Sequence, residues 1–324
     1  MAGNVQKETL RSFIRQADHY HAKGSKAPVL LNYQSKLKMK TILVPTDFSK
    51  NAENALSFAI LLAKKIQARI VLLNAFQIPV PISEIPYQVL EEEIKDTRHT
   101  AIKKLRAESE KIRHAGVQYE YSAQEGEALD SILIYTKNHS FDYIIMGTKG
   151  AGKNKTGIFG STTSRLIAKT DVPVIAIPEK AHFSDNIRKI TFATNYTITD
   201  VSAIAQLSKL AAAFNAQLNV LHVSDGDILA AEETRLMEEF MKKVTSETAY
   251  NNLSFQLMPG DDPAKRLEEY INEHGADMIV MSTHLRNALE RIFGNSLTKH
   301  IALNTQIPLI VFHHHKEASL KLTP

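Results

Sequence analysis

Two segments of this 324-residue chain, Asp142-Tyr-Ile-Ile-Met-Gly-Thr148 and Asp277-Met-Ile-Val-Met-Ser-Thr283, stand 135 residues apart. The same offset relates Val172-Pro-Val-Ile-Ala-Ile-Pro178 to Ile307-Pro-Leu-Ile-Val-Phe-His313. Two matches at one spacing mark a tandem duplication, so one architecture has to suit both copies. Towards the front, Lys40-Thr-Ile-Leu-Val-Pro-Thr-Asp47 answers Arg188-Lys-Ile-Thr-Phe-Ala-Thr-Asn195 at 148 residues, which makes the first copy the longer. The total length agrees with two domains.

Within each copy, short β-branched runs alternate with helical periods. In the first, strands are expected at Thr41 to Val44, Ala68 to Ala75, Val117 to Ser122, Tyr143 to Met146 and Val174 to Ile177. Helices are expected after Asp47, where Ala52, Leu56, Ala59, Ile60 and Ala63 repeat at helical spacing, then over 88–115, 127–138 and 161–168. Pro79, Pro81 and Pro86 mark a connection. The second copy repeats the order, with strands near Lys189 to Ala193, Gln217 to Val223, Leu253 to Met258, Met278 to Met281 and Leu309 to Phe312. This alternation predicts an α/β fold, two tandem doubly wound domains each with a five-stranded parallel sheet covered on both faces. The expected boundaries are an extension over 1–38, domains over 39–180 and 187–315, and a tail over 316–324.

The composition narrows the chemistry. There is no cysteine, which excludes disulfides, thiolate metal sites and a cysteine nucleophile, and suits a reducing compartment. The net charge of +4 comes from 39 basic and 35 acidic residues that are interspersed, so neither nucleic acid nor a membrane surface is an expected partner. The longest apolar run, around Leu56 to Ala63, falls short of the roughly 20 residues a membrane span needs. Lys7, Glu8, Arg11, Arg15 and Asp18 interrupt the first residues where a secretory signal has an apolar core. A cytoplasmic location is the expectation.

Ligands of open parallel sheets bind outside the carboxyl ends of the strands, where the winding reverses. Here that point is expected between the first and fourth strands. Pro45-Thr46-Asp47 follows one, and Gly147-Thr-Lys-Gly150 follows the other. The stretch from Gly147 to Thr162 has the chemistry of a phosphate cradle: glycines that let backbone N–H groups approach an anion, Lys149, Lys153 and Lys155, and Gly160-Ser161-Thr162 opening a helix. A solvated surface loop is the competing reading. Asp47 either caps the following helix or meets a ligand, accepting a ribose hydroxyl or holding a divalent metal carried by a triphosphate. The crevice position favours the ligand. Gly147-x-x-x-x-Gly152-Lys153 also approaches the phosphate loop of P-loop NTPases, but Asn154 stands where a hydroxyl belongs.

Gly147-x2-Gly150-x9-Gly160-Ser161, with Asp142-Tyr-Ile-Ile-Met before it, Val172-Pro-Val-Ile-Ala-Ile-Pro after it and Ile42-Leu-Val-Pro-Thr-Asp-Phe-Ser49 at the front, resembles the universal stress protein family. The resemblance covers both copies, about residues 39 to 315, as in tandem members. It implies the adenine nucleotide α-hydrolase-like fold with strand order 3-2-1-4-5, and ATP, with or without magnesium, over the first and fourth strands. The residues it implies for contact are Pro45, Thr46, Asp47, Ala75, Met146, Gly147, Gly150, Gly160, Ser161 and Thr162. Among these, Asp47 faces the ribose or a nucleotide-bound magnesium, the backbone of Ala75 faces the adenine edge, and the glycines with Ser161 and Thr162 hold ribose and phosphates. The resemblance further implies that the two domains pair through their last strands, which would protect apolar edges. A homodimer of whole chains is left open.

The second copy departs from the pattern. Asn195 answers Asp47, Ser282 answers Gly147 and Leu285 answers Gly150, while Gly294, Asn295 and Ser296 keep the helix-opening character. One nucleotide per chain is therefore expected, in the first domain. The leading function is an ATP-binding stress-response protein. An ATPase or nucleotide hydrolase using the same cradle is the rival, its turnover expected to be slow because the motif region offers no carboxylate or histidine beyond Asp47, and a nucleotide-free interaction module is the third. Other conspicuous residues have plainer roles. His313, His314 and His315 alternate faces on a strand, His222 and Met281 suit packing, and Glu91, Glu92, Glu93, Glu232 and Glu233 suit the starts of helices.

Overall fold

A computed structural model describes residues 39–78, 87–148, 160–181, 183, 186–224, 230–260, 262–284 and 306–314. The first half runs β1 (Thr41–Pro45), α1 (Lys50–Ile66), β2 (Arg69–Phe76), α2 (Tyr87–His114), β3 (Tyr119–Glu125), α3 (Ala128–Asn138), β4 (Tyr143–Gly147), α4 (Ser161–Ile167) and β5 (Val174–Ile177). The second runs β6 (Lys189–Ala193), α5 (Ile198–Phe214), β7 (Gln217–Ser224), α6 (Ala230–Glu247), β8 (Leu253–Pro259), α7 (Pro263–His274), β9 (Met278–His284) and β10 (Leu309–His314).

The ten strands of the described residues form one sheet in the order β3-β2-β1-β4-β5-β10-β9-β6-β7-β8. Each half is thus wound 3-2-1-4-5. Its strands pair in parallel, and the halves join where β5 meets β10 antiparallel, with Ile175 opposite Ile310. Each apolar edge strand is the other's partner, so neither is left as a template for aggregation.

Alternation along the strands sorts the core into two faces. Ile42, Val44, Ile70 and Leu72 point towards α1 and α2, and this layer continues through Ile190, Phe192 and Val220 under α5 and α6. Leu43, Ile144, Met146 and Val174 point the other way, with Leu129 and Ile132 of α3 and Leu166 of α4; Leu221, Ile279 and Leu267 belong to the same cluster. The duplication extends to unusual backbone. Phe48 and Tyr196 have φ of 62° and 58°, and Gln67 and Asn215, the left-handed C-caps of α1 and α5, have 53° and 54°. The repeated aspartates also have a structural task. Asp142 accepts the N–H of Thr41 at 2.8 Å, and Asp277 accepts those of Arg188 and Lys189 at 2.7 and 2.9 Å, tying the entry of the fourth strand to that of the first.

Three expected strands differ in extent by two residues or more. β3 starts at Tyr119 because the N–H of Val117 returns to the carbonyl of Ile112, closing α2 instead of entering the sheet. β9 and β10 run on to His284 and His314 because each supplies the other's ladder, with Phe312 opposite Ser282 and His314 opposite His284. His313 and His314 are therefore strand residues; His315 lies outside the described residues, as do 1–38 and 316–324. Among the described residues, no helix is long and apolar enough to cross a membrane.

Candidate functional site

The winding reverses between β1 and β4, and the crevice there is built first by the turn after β1. Pro45 ends the strand, and Thr46 is buried with its polar atoms engaged. Its N–H donates to the carbonyl of Leu73 at 2.8 Å, and its own carbonyl accepts from Asn74 Nδ2 at 2.8 Å. Its hydroxyl accepts the N–H of Phe48 at 3.0 Å and donates to Glu108 Oε2 at 3.0 Å. Asp47 is exposed, with Oδ1 accepting the N–H of Ser49 at 3.0 Å, and Ser49 caps α1 by accepting the N–H of Ala52. The helix-capping task is thus divided, and the Asp47 carboxylate is held at the surface by a short local turn.

The second wall is the end of β4. Gly147 is buried, and a Cβ there would lie 3.0 Å from the carbonyl oxygen of Asn51 in the first turn of α1. The glycine is needed for that close approach. Its carbonyl accepts the Thr163 hydroxyl at 3.0 Å, fixing α4 to β4. The N–H of Gly160 donates to the carbonyl of Thr148 at 2.6 Å, so both ends of the intervening segment are pinned together. Gly150, Lys149, Lys153 and Lys155 lie in that segment, outside the described residues. Ser161, exposed, and Thr162 open α4 beside it. Ala75 is half-buried near the end of β2. Met146 packs into the core on the α3 and α4 face, so its side chain is a core residue.

Helix α2 brings a carboxylate that local motifs do not reveal. Glu108 shares the apolar row of Ala101, Leu105 and Ile112, all buried, yet reaches Thr46. A glutamate on an apolar helical row was the available signal. Burial pushes its carboxyl above the usual range. The Thr46 hydroxyl and Lys111 pull it back, while Glu53 and Asp47 push it further up. Lys104 lies 5.4 Å from the Phe48 ring centre, and Lys111 pairs with Glu53 of α1.

In the corresponding crevice of the second half, the described donors are engaged by its own side chains. Thr194 repeats the bonds of Thr46: N–H to the Leu221 carbonyl at 2.9 Å and hydroxyl from the Tyr196 N–H at 3.0 Å. His222 Nδ1, in the place of Asn74, lies 2.7 Å from the Thr194 carbonyl. At the position of Ala52 stands Asp200, 2% exposed. Its Oδ2 accepts the Thr194 hydroxyl at 2.9 Å and the N–H groups of Asn195 and Thr197 at 3.1 and 3.2 Å, and its Oδ1 accepts the Ser282 hydroxyl. Four donors therefore converge on one internal carboxylate. Towards β7, Glu233 of α6 is buried, accepting the Ser224 hydroxyl at 2.5 Å and lying 3.4 Å from His222 Nε2. It stands in the first turn of α6, as its sequence position suggests, and is buried there, and His222 is polar-bonded as well as packed. Tyr196 lies over His222, ring centres 4.3 Å apart. Burial, and then the Glu233 charge, hold its hydroxyl above the ordinary range. Leu285, Gly294, Asn295 and Ser296 lie outside the described residues.

Chemically, the first crevice offers an exposed carboxylate, a helix N-terminus and a glycine wall. One carboxylate suits a cation carried in by a phosphate ligand, as magnesium commonly is, rather than a cation held by protein alone. Among the described residues, no group of three or more metal-ligating side chains converges.

The profile of the universal stress protein family matches the chain twice, over residues 38–178 and 186–313. The universal stress protein Sll1654 of Synechocystis is 28% identical over 142 residues, covering 44% of this chain and 87% of that protein. YxiE of Bacillus subtilis, another universal stress protein, is 26% identical over 143 residues, covering 42% of this chain and 97% of YxiE. Among solved structures, a universal stress protein from Archaeoglobus fulgidus superposes with a TM-score of 0.65 at 20% identity, covering 85% of this chain and 96% of that one, a likeness of fold.

Proposed function

The chain belongs to the universal stress protein family, in tandem, and from that premise we propose that it binds ATP in its first half only, its occupancy setting conformation or partners in a stress response. The observation that carries this reading is the contrast between the crevices. The first keeps a surface carboxylate and a glycine wall; the second spends its converging donors on Asp200. On this reading the domain over 39–180 is the binding unit and the domain over 187–315 is a self-filled copy. Asp47 meets the ribose or a nucleotide-borne magnesium. The backbone of Ala75 meets the adenine edge, and Gly147, Gly150, Gly160, Ser161 and Thr162 hold ribose and phosphates, with Pro45, Thr46 and Met146 shaping the floor. ATP would bring its own anionic oxygens to the α4 N-terminus, which favours negative charge.

Thermal unfolding with and without ATP and magnesium tests this, because a ligand that binds only the native state raises apparent stability. A rise is expected at millimolar ATP, and its absence would sink the reading. Gly160→Val should remove the rise by blocking approach to the first N–H groups of α4. The hydrolase reading requires a positioned base. Steady phosphate release that Asp47→Ala abolishes would favour it over regulated binding.

A further inference from the structure

One stripe of α2 grips the turn that carries Asp47. Lys104, Glu108 and Lys111, at i, i+4 and i+7, meet the Phe48 ring, the Thr46 hydroxyl and Glu53 of α1. The middle contact bears on backbone geometry. Phe48 sits at φ 62°, an uncommon conformation for a bulky residue that persists where surrounding bonds over-determine it. Its N–H is held by the Thr46 oxygen, and the hydroxyl rotor is fixed, with a lone pair towards Phe48, by an acceptor for its proton. Glu108 is that acceptor. The second copy shows the alternative. There the Thr194 hydroxyl gives its proton to Asp200 in the first turn of its own helix, and the buried carboxylate of α6, Glu233, goes to Ser224 and His222 instead. The turn of the first copy is wired to the next helix; the turn of the second is wired to itself.

We propose that Glu108 is a positioning residue of the first crevice, fixing the Thr46 to Ser49 turn that presents Asp47 and passing ligand occupancy at that turn to α2. This rests on the nucleotide reading of the crevice and names the element through which that site would be read out. It also supplies a ligand-independent consequence, since the turn should loosen without Glu108 whether or not a nucleotide binds.

The test compares Glu108→Ala, which removes the acceptor, with Glu108→Gln, whose amide oxygen still accepts the Thr46 hydroxyl. Two measurements are made on the full chain: calorimetric affinity for magnesium ATP, and residue-resolved amide exchange with and without it. Glu108→Ala should weaken affinity about tenfold and Glu108→Gln by less than about threefold, the scale of losing or keeping one hydrogen bond to a half-buried carboxyl group. Without ligand, the Phe48 amide should exchange faster in the alanine variant and as in the parent in the glutamine variant. With ligand, exchange across Ala101 to Ile112 should slow in the parent and the glutamine variant but not in the alanine variant. Parent-like affinity and Phe48 exchange in Glu108→Ala, or failure of glutamine to rescue, would overturn the proposal; an α2 indifferent to ligand would overturn the relay. If no variant or parent binds nucleotide, the nucleotide reading fails, and the unliganded Phe48 comparison still decides whether Glu108 positions the turn.

Discussion

The two crevices share a turn geometry, a strand register and a threonine pinned by the same backbone bonds, yet one presents a carboxylate to solvent and the other buries one. Phe48 and Tyr196 adopt nearly the same left-handed φ, and Thr46 and Thr194 each anchor to the second strand of their half. The difference lies in few side chains. Ala52 becomes Asp200, Gly147 becomes Ser282, Asn74 becomes His222, and Asp47 becomes Asn195. The second copy has not lost its donors. It has supplied the anion from inside, and Asp200 knots the turn after β6 to β9.

The largest effect should come from cutting that knot. Asp200→Ala leaves two hydroxyls and two N–H groups in a buried site without their acceptor, and should cost about 3 kcal/mol or more in urea unfolding. A loss under about 1 kcal/mol would show that the second crevice admits water and is not self-filled. The converse substitution sharpens the point. Ala52→Asp places a carboxylate at the equivalent position of the first crevice and should erase stabilisation by ATP; a preserved ATP response would break the equivalence of the two positions.

Next in size is Gly147→Ala. The new methyl would press on the backbone of Asn51, which cannot rotate away as a side chain would. The α1 N-terminus must shift, at about 1–2 kcal/mol by thermal or chemical unfolding. Ser282→Gly should not mirror this with a gain, because it removes a bond to Asp200. Equal effects at the two sites would contradict the assignment of different tasks to them.

Asp47→Ala should be smaller still in stability, about 0.5–1 kcal/mol, since its bond to Ser49 is exposed and local. The same change should nonetheless remove most of the ATP response. Asp200 and Asp47 would then have opposite profiles, one structural and one for ligand. A large stability loss for Asp47→Ala would make the two alike.

Much of this was legible in the sequence, for a physical reason. A duplicated fold repeats its strand cores and its Asp142 and Asp277 ties at fixed offsets, so the repeated order of elements follows from a few matched segments, whereas the strand order and the paired last strands were implied only by the family resemblance. Departures at Asn195 and Ser282 marked where the copies diverge. What replaced the site was harder to see. Thr197 and Asp200 form a capping box readable as T-x-x-D, but the bond from Ser282 to Asp200 spans 82 residues and no local pattern encodes it. Glu108 was hidden differently. In a long charged helix one more glutamate looks solvated, unless its place on the row of Ala101, Leu105 and Ile112 is noticed.

Glu108 also gives the smallest and most selective prediction, a difference in pH dependence. Its carboxyl binds a proton more tightly in the folded protein than in the unfolded chain, first because of burial. Between the ordinary carboxylate range and the raised folded value the native state therefore holds more protons, and stability falls as pH rises through that window. Above the window the cost is fully present and constant; below it the cost is absent. Glutamine keeps the Thr46 bond and does not titrate. Glu108→Gln should accordingly gain stability over the parent as pH rises from about 4 towards neutrality and hold that gain on a plateau. Denaturant midpoints for both proteins across this range provide the measurement. Parallel curves would mean that Glu108 is solvated like its neighbours on α2. A gain that grows towards acid would mean that Lys111 outweighs burial and holds the Glu108 carboxylate in its charged form.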